Sequence, residues 1–375
     1  MIPDIDKITV RQLQSLLILY MFGVAAVCLP GIAAEYAGTD GWVSVALAAL
    51  AAAIGVYLIG SLAVLHRGVG FHDVVCRVLS WPIGKLICLL LIFRALVGLG
   101  LELRIFGEII REFLLPLTPI WLVLSVMLLL GGFAIWTGLA TRARAAEILT
   151  FIVLVPLILM LIFAALRVDY TNLLPVLRGG TDGVFTGGME SGFVFAPIIN
   201  VLVLVFLVGG FDSRGRRRTV KATALAGVLL TAVTAITIAR FSAGGTAAHT
   251  WPFLEMLFTV EIPGAFMERH NALVISFWIL TVFIGTGAGL FVGAHLLRDT
   301  INKGPRNAYL VALLPITLVL AILPDGAEHA LTLARALYRA TGPALALLLP
   351  WLLLVITRIR QSGSKILHAD HVRHI

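Results

Sequence analysis

Apolar runs of about twenty residues follow one another along the chain, and short polar segments separate them. A helix needs about 20 apolar residues to cross the roughly 30 Å hydrocarbon layer of a bilayer. No long polar stretch is left over, so the pattern predicts one integral membrane domain over residues 1–375 with an all-α polytopic fold. Ten transmembrane helices are predicted, at about residues 11–34, 41–65, 83–113, 119–140, 145–166, 184–211, 220–243, 271–297, 307–323 and 341–358.

The composition excludes several classes of protein. Sixty per cent of the residues are hydrophobic, 13% are charged, and the mean hydropathy is +1.03. Soluble domains are nearer to about 45–50% apolar and about 25% charged, so a soluble globular protein and a disordered chain are both excluded. The three cysteines lack the spacing of metal ligands, and neither a nucleophile motif nor a phosphate loop occurs. We therefore expect no enzymatic activity, cofactor or metal.

The distribution of basic residues predicts the orientation of the helices. Lysine and arginine total 28 against 20 aspartates and glutamates, which gives a net charge of +8. Most of the basic residues fall on the same side as the N-terminus, including the run RGRRR at 214–218. Cytosolic loops carry such an excess, so we expect both termini in the cytosol and contact between this run and anionic membrane lipid. Nucleic-acid binding is the alternative, but no aromatic residues accompany the run.

Two of the predicted spans contain helix breakers in corresponding places. The first span has Gly23 and Pro30, and the sixth has Gly192 and Pro197. These spans begin two halves of five helices each, and interrupted helices at matching places are typical of 5+5 inverted-repeat transporters with a binding site near the midplane. We predict a first repeat at about 8–166, a second at about 180–360 and a short cytosolic tail at 360–375. Ordinary kinks packed by neighbouring helices are the alternative reading.

Ionisable residues also occur inside the apolar runs. Arg94, Glu102 and Arg104 lie in the third span, where a charge costs about 3 kcal/mol on insertion scales, so they should face a cavity or one another. Arg94 either pairs with a ligand carboxylate, replaces a coupling cation or forms a structural ion pair. Glu190 is either a buried proton site or a residue at the outer mouth of the sixth span, and the mouth is slightly favoured.

Several short stretches, in this order and spacing, resemble one family of membrane proteins. The chain is similar to the spore germination permeases, the B subunits of germinant receptors, within the amino acid–polyamine–organocation transporter superfamily. The matching stretches are ITVRQ at 8–12, LP at 29–30, GW at 41–42, LRIFGE at 103–108, LLPLTP at 114–119, RAAE at 144–147, NLLP at 172–175, WP at 251–252, ER at 268–269 and Trp278.

The resemblance implies a ten-helix protein of the spore inner membrane. It also implies sensing of a small nutrient, usually an amino acid, and assembly with an A subunit and a lipoprotein C subunit. In related transporters the ligand lies between the breaks of helices one and six, beside helices three and eight. Carried over to this sequence, the resemblance assigns ligand binding to Gly23, Val24, Ala25, Arg94, Gly98, Ser191, Gly192, Phe193, Phe195, Thr281 and Gly285.

The sequence departs from the family at two places. Family members often carry a Gly-x-Glu or Gly-Glu pair in helix six, whereas residues 195–200 contain no carboxylate, and position 94 is usually aromatic or aliphatic in relatives. A buried cation at Arg94 would favour a ligand with a carboxylate. A germinant-sensing subunit is therefore the first functional hypothesis. An amino acid transporter coupled to H⁺ or Na⁺ is the second, and a scaffold without a ligand is the third.

Overall fold

The computed structural model describes residues 6–177, 180–260 and 270–373; the side chains of Ala25, of residues 270–273 and of the tail from 362 onwards lie outside this description. The described residues form helices and their connections. The helices are α1 Val10–Met21, α2 Val24–Ala37, α3 Gly41–Leu65, α4 Phe71–Val78, α5 Trp81–Phe113, α6 Ile120–Trp136, α7 Leu139–Ala165, α8 Gly180–Ser191, α9 Ile198–Leu204, α10 Ser213–Ala248, α11 Pro252–Phe258, α12 His270–Ile301, α13 Arg306–Ile322, α14 Ala327–Pro343 and α15 Leu349–Arg373.

Many of these helices are long and apolar enough to cross a membrane. Within the described ranges, six helical stretches meet that requirement, and a seventh is added if the bent pair Gly180–Phe195 and Ile198–Leu207 is one span. The apolar helices α6 and α13 are shorter, with 17 residues each. Large apolar side chains stay exposed on these helices, such as Phe93 and Phe133, as expected of surfaces that face lipid. The prediction of an all-helical polytopic protein is therefore confirmed.

Helices α2 and α3 fold back on each other within one apolar stretch. A short 3₁₀ turn, Gly38–Asp40, joins them, and Gly41 lies so close to Ala33 that an added Cβ would come within 2.9 Å of its backbone. Both pack against α10, which is kinked at Ser242. Small residues allow these backbones to approach, which is the usual means of helix association in lipid. The pair α2–α3 therefore packs between α10 and α8.

The start of the chain is anchored to the end of the bent pair. Ile8 donates its backbone N–H to Leu207 O at 3.1 Å and accepts from Gly209 N at 3.0 Å. The next residue, Thr9, forms a reciprocal capping box with Gln12 at the start of α1. Such a box satisfies two backbone donors that a helix N-terminus leaves free. The beginning of α1 and the end of the bent pair are thus held together.

The basic run begins helix α10. Asp212 caps this helix, because its carboxylate accepts the backbone N–H of Gly215 at 2.7 Å. This hydrogen bond lowers the pKa of Asp212 below its ordinary value. The run 214–218 follows in the first turns, and Arg218 O accepts from the Gln14 side chain of α1 at 2.7 Å. The basic run and the N-terminus therefore lie on the same side of the bundle.

A buried ion pair joins the N-terminus to the second half of the chain. Asp6 is 3% exposed and Arg306 is 8% exposed, and the two side chains form an ion pair. The same carboxylate accepts the backbone N–H of Leu139 at 3.2 Å, at the start of α7. Asp6 thus connects the chain start with α7 and α13.

We predict that Asp6→Asn lowers the free energy of unfolding by about 3–5 kcal/mol, because it leaves the Arg306 guanidinium buried without a counter-ion. Thermal unfolding of the purified protein in detergent measures this change. Glu147→Gln is the matched control: its partner Arg11 is 70% exposed, so an effect of about 0–1 kcal/mol is expected. Equal unfolding temperatures for the two variants would show that the Asp6 pair does not stabilise the fold.

Three predicted boundaries are wrong. Helix α10 begins at Ser213 rather than near residue 220, so the run 214–218 lies in its first turns instead of in a loop. Helix α7 begins at Leu139 rather than near residue 145, so Arg142 lies in its first turns instead of in a loop. The Arg142 guanidinium is buried and donates to the carbonyls of Gly131 and Ile284, which a hydropathy pattern does not reveal. The last predicted span, 341–358, also starts too late. The helical segment begins at Ala327 with α14. The polar residues of α14 lower its hydropathy below that of the neighbouring spans, so the hydropathy pattern placed the start too late.

Candidate functional site

The first helix interruption lies at residues 22–23, between α1 and α2. Gly23 has ψ −144°, which is not helical, and Val24 begins α2 as a buried residue. Two side chains of α12 satisfy the backbone at this break. Trp278 Nε1 donates to Gly23 O at 3.3 Å, and Thr281 Oγ1 lies 3.3 Å from Phe22 O. The predicted site residue Thr281 therefore contacts Phe22, the neighbour of Gly23, and Ala25 follows in the first turn of α2.

The second interruption lies between α8 and α9. Helix α8 ends at Ser191, a 3₁₀ turn spans Gly192–Phe195, and α9 begins at Ile198 after a bend of 41°. Pro197 caps α9, where the missing backbone N–H of proline is tolerated. Both interruptions thus lie where glycines predicted them.

The break predicted at Pro30 is not found. Pro30 lies inside α2, which is helical from Val24 to Ala37. Proline removes one backbone donor, yet neighbouring helices allow it to remain within transmembrane helices. The break that precedes α2 is due to Gly23 alone.

Arg94 is the central charged residue between the two breaks. It lies in the middle of α5 and is 6% exposed, and its Nε has no hydrogen-bond partner, as is also true of Arg104 and Arg142. Its electrostatic partners are Tyr20, Glu102 and Tyr338. A buried guanidinium with a free donor is costly unless another group completes its hydrogen bonds. The arrangement therefore suits an added carboxylate or other acceptor beside Arg94.

Tyr20 connects Arg94 with the other polar groups nearby. It is the penultimate residue of α1, its hydroxyl shares a side-chain hydrogen bond with Glu102, and it accepts from Asn200 Nδ2 of α9 at 3.3 Å. Tyr20, Glu102 and Tyr338 keep part of their surface accessible, as does Gly98. The region beside the buried guanidinium is therefore bordered by a carboxyl group and two phenolic hydroxyls, whose side chains are partly accessible.

Three of the predicted glycines form the walls of this space. A Cβ added to Gly192 would lie 2.7 Å from the Tyr338 hydroxyl, and one added to Gly285 would lie 2.9 Å from the Tyr20 ring. Gly98 lies beside Arg94, with 3.9 Å between an added Cβ and Nη1. The structure thus brings Arg94, Gly98, Gly192 and Gly285 together around two tyrosines. We call this space the central cavity.

The remaining predicted residues lie at the edges of the central cavity or outside it. Ser191 is fully buried and its Oγ has no hydrogen-bond partner, while Phe193 and Phe195 are buried in the 3₁₀ turn. Arg104 is not part of the cavity. Its guanidinium pairs with Glu108 at 2.9 Å and donates to Ile322 O of α13 at 3.3 Å, so it links α5 to α13.

Glu190 is buried and pairs with residues that line another cavity. It is 5% exposed and pairs with Arg335 at 2.8 Å and Arg339 at 3.2 Å, both on α14. These arginines line a cavity of about 580 Å³, together with Glu35 and Tyr36 of α2. We call this cavity the outer vestibule. Glu190 is therefore buried, and its charge is paired with two arginines that line the outer vestibule.

Tyr20, Tyr338 and Arg335 were not predicted from the sequence. Tyr20 lies three residues before Gly23. Its position next to a predicted helix break was the one indication in the sequence that it belongs to the site. On α14, Arg335, Tyr338 and Gly342 are spaced three and four residues apart, which places them on one helix face. The sequence shows this spacing. It does not show what Arg335 and Tyr338 contact, because their partners are more than 140 positions away in the sequence.

Clusters of metal ligands are not present in the described ranges, where no group of three His, Cys, Asp or Glu side chains converges. Cys28 and Cys88 are buried, and Cys76 is partly exposed on the short helix α4. Burial raises the pKa of the Cys76 thiol, so this thiol is protonated at neutral pH.

Comparison of the sequence with known proteins identifies the family of this chain. Residues 7–330 match the sequence model of a family described as spore germination protein. Spore germination protein YndE of Bacillus subtilis (strain 168) is 27% identical over 370 residues, which cover 97% of this chain and 100% of the relative. Spore germination proteins KB and B2 of the same organism are 27% and 26% identical and cover 86% and 85% of this chain, with 87% of each relative aligned. The chain is an integral membrane protein that belongs to the spore germination permease family.

Proposed function

We propose that this protein is the B subunit of a germinant receptor and that it binds a small, amino acid-like nutrient in the central cavity. The observation that carries the proposal is the convergence of both helix breaks on one group of polar side chains around the buried Arg94, namely Tyr20, Glu102 and Tyr338. Membership in the spore germination family supports the biological role. Binding of the nutrient would trigger germination by changing the relative stability of two states of the bundle.

The proposed architecture is a ten-helix fold of two five-helix halves. Its support is the order of helices, which is the same in both halves: a broken helix, two long helices, a 17-residue helix and a long helix. In the first half these are α1–α2, α3, α5, α6 and α7. In the second half they are α8–α9, α10, α12, α13 and α14–α15. The halves correspond to the predicted ranges of about 8–166 and 180–360.

The proposed location is the spore inner membrane, with both termini in the cytosol. The support for the orientation is that the chain start and the basic run at the beginning of α10 share one side of the bundle. An excess of arginine and lysine is characteristic of the cytosolic side. The outer vestibule then opens toward the outer side, from which nutrients arrive.

The proposed ligand geometry places the carboxylate of the nutrient at Arg94. A guanidinium binds a carboxylate through charge-assisted hydrogen bonds, and the free Nε of Arg94 is available for one of them. Two side chains offer acceptors for the ammonium group of the nutrient. Glu102 lies on the same face of α5 as Arg94, and Tyr20 lies on α1. The carbonyls of Phe22 and Gly23 are already engaged by α12, so they hold the break open rather than bind the nutrient.

The proposed partners are an A subunit and a lipoprotein C subunit, with membrane lipid around the helices. The family resemblance is the support for these subunits. They would detect the change of state of the bundle and transmit it.

A secondary amino acid transporter coupled to H⁺ is the alternative function. The observation that favours it is Glu102, a carboxyl group within the bundle that hydrogen-bonds to Tyr20 and is able to accept a proton. Transport would require that the nutrient be released on the cytosolic side in each cycle.

Deletion and complementation of the gene separate these functions. A germinant receptor subunit is required for germination on particular nutrients, so deletion should abolish the response of spores to at least one amino acid. The wild-type gene should restore the response, and a gene encoding Gly192→Leu should not. Normal germination on every nutrient, together with lost uptake of an amino acid by growing cells, would identify a transporter instead.

A further inference from the structure

We propose that α14 is the gate between the outer vestibule and the central cavity, with Arg335 as its latch and Tyr338 as the residue that closes the cavity. The inference deepens the proposed function, because a gate is meaningful only if a nutrient enters the central cavity. Three features of α14 support it, namely its ion pairs, its contact with the second helix break and the irregular turn at its end.

The latch joins three helices through one side chain. Arg335 of α14 pairs with Glu190 of α8 at 2.8 Å, donates to the Tyr36 hydroxyl of α2 at 2.5 Å and lies 3.6 Å from Glu35 of α2. Arg339, one turn further along α14, also contacts Glu190, at 3.2 Å. Helices α2 and α8 are the outer parts of the two broken helices. Arg335 therefore holds α14 against both broken helices on the vestibule side of the breaks.

Tyr338 lies directly between the latch and the central cavity. Its ring covers the backbone of Gly192 so closely that no side chain fits between them. Gly342, one turn later, leaves room for the same ring, because a Cβ there would overlap it. Tyr338 also interacts electrostatically with Arg94 inside the cavity. A nutrient that travels from the outer vestibule to Arg94 must pass this ring.

The end of α14 has the structure of a hinge. The helix continues into a π-helical segment, Ala344–Leu348, before α15 begins at Leu349. Segments of π-helix inside α-helices concentrate at functional sites, because one extra residue per turn weakens the regular hydrogen-bond ladder. The latch and Tyr338 precede this segment, whereas α15 follows it. Rotation about residues 344–348 therefore moves Arg335 and Tyr338 together while α15 stays in place.

A native thiol reports whether the gate is open. Cys28 lies on α2 below Glu35, lines the outer vestibule and is only 3% exposed. The other two thiols, Cys76 and Cys88, are removed by Cys→Ser substitutions, so a membrane-impermeant thiol reagent modifies Cys28 alone. The modification rate of purified protein in liposomes then measures access to the vestibule floor without any nutrient.

Arg335→Gln should increase the modification rate of Cys28 at least tenfold, because a neutral side chain does not hold Glu190 and Glu35 together. Arg335→Lys keeps the charge and should leave the rate within about threefold of the wild type. Arg240→Gln, which removes an exposed arginine that donates only to Arg167 O, should leave the rate unchanged. Equal rates for Arg335→Gln and Arg240→Gln would overturn the gate.

A second variant makes the test independent of the folding of Arg335→Gln. Tyr338→Ala retains the latch but removes the ring from the path, so it should leave the modification rate of Cys28 within about threefold of the wild type. It should increase at least tenfold the modification rate of a cysteine placed by Gly98→Cys, which lies beside Arg94 on the other side of the ring. A disulfide between Tyr36→Cys and Arg335→Cys should reduce the modification rate of Cys28, followed by mass spectrometry of its peptide, below that of the wild type. The reduced double variant lacks the latch and should exceed the wild-type rate. If the variants change the modification rates as expected but no added amino acid changes the rate of the wild type, the gate is supported and the proposed nutrient function is contradicted.

Discussion

Gly192→Leu is expected to abolish nutrient binding while the protein still accumulates in membranes. An added Cβ already lies 2.6–2.9 Å from the Tyr338 ring, so a leucine side chain must displace that ring or fill the space beside it. Both outcomes occupy the central cavity. We expect the dissociation constant to rise at least 100-fold, which corresponds to about 2.7 kcal/mol. Equilibrium binding of a labelled nutrient to purified protein measures the change.

Controls separate lost cavity space from misfolding in this prediction. Gly98→Ala should bind within about threefold of the wild type, because its added Cβ meets nothing closer than 3.9 Å. The smaller substitution Gly192→Ala should weaken binding, and adding Tyr338→Ala should recover part of the loss by removing the clash. An unchanged dose-response for Gly192→Leu would show that the nutrient does not bind beside the second break.

Arg94→Ala is expected to weaken the binding of a carboxylate nutrient about 100-fold. The guanidinium is buried beside Glu102 and its Nε has no hydrogen-bond partner, so its removal takes away the cation and the free donor that a carboxylate would use. Truncation of one partner of a buried charged pair costs about 2–5 kcal/mol of affinity. Affinity for the nutrient amide, which lacks the charge, should change much less. This difference between acid and amide is the decisive readout.

Arg104→Ala is the matched control for Arg94→Ala. Arg104 lies on the same helix and is similarly buried, but it already pairs with Glu108 and Ile322 O. Its loss should lower the unfolding temperature and leave the affinity of the remaining folded protein unchanged. If Arg94→Ala instead fails to accumulate and Arg104→Ala weakens binding, the roles assigned to the two arginines are reversed.

Some features of this fold follow directly from sequence. The breaks at Gly23 and Gly192 were predictable because glycine weakens a helix within an apolar run. The two glycines also recur at matching places, which suggests a repeated unit. Pro30 misled the prediction because a transmembrane helix retains a proline when its neighbours pack around it. The end of the sequence was harder, since α14 is amphipathic and carries Arg335 and Arg339.

The arrangement of the central cavity was only partly predictable. Arg94 was identified because a charge inside an apolar run is costly wherever it points. Tyr20 and Tyr338 were missed because tyrosine is common in both packed and functional positions, and only the folded chain places their rings on Gly285 and Gly192. The opposite roles of Arg94 and Arg104 were also hidden, since they depend on Glu108 and on a carbonyl of α13.

Binding and accumulation of labelled amino acids in liposomes test the central claim most directly. The wild-type protein, Gly192→Leu and Gly98→Ala are reconstituted with and without a proton gradient, both alone and with the A and C subunits. The predicted result is saturable binding of at least one amino acid by the wild type and Gly98→Ala, its loss in Gly192→Leu, and no accumulation driven by the gradient. Gradient-driven accumulation, or equal binding by Gly192→Leu, would contradict a nutrient sensor with its site between the two helix breaks.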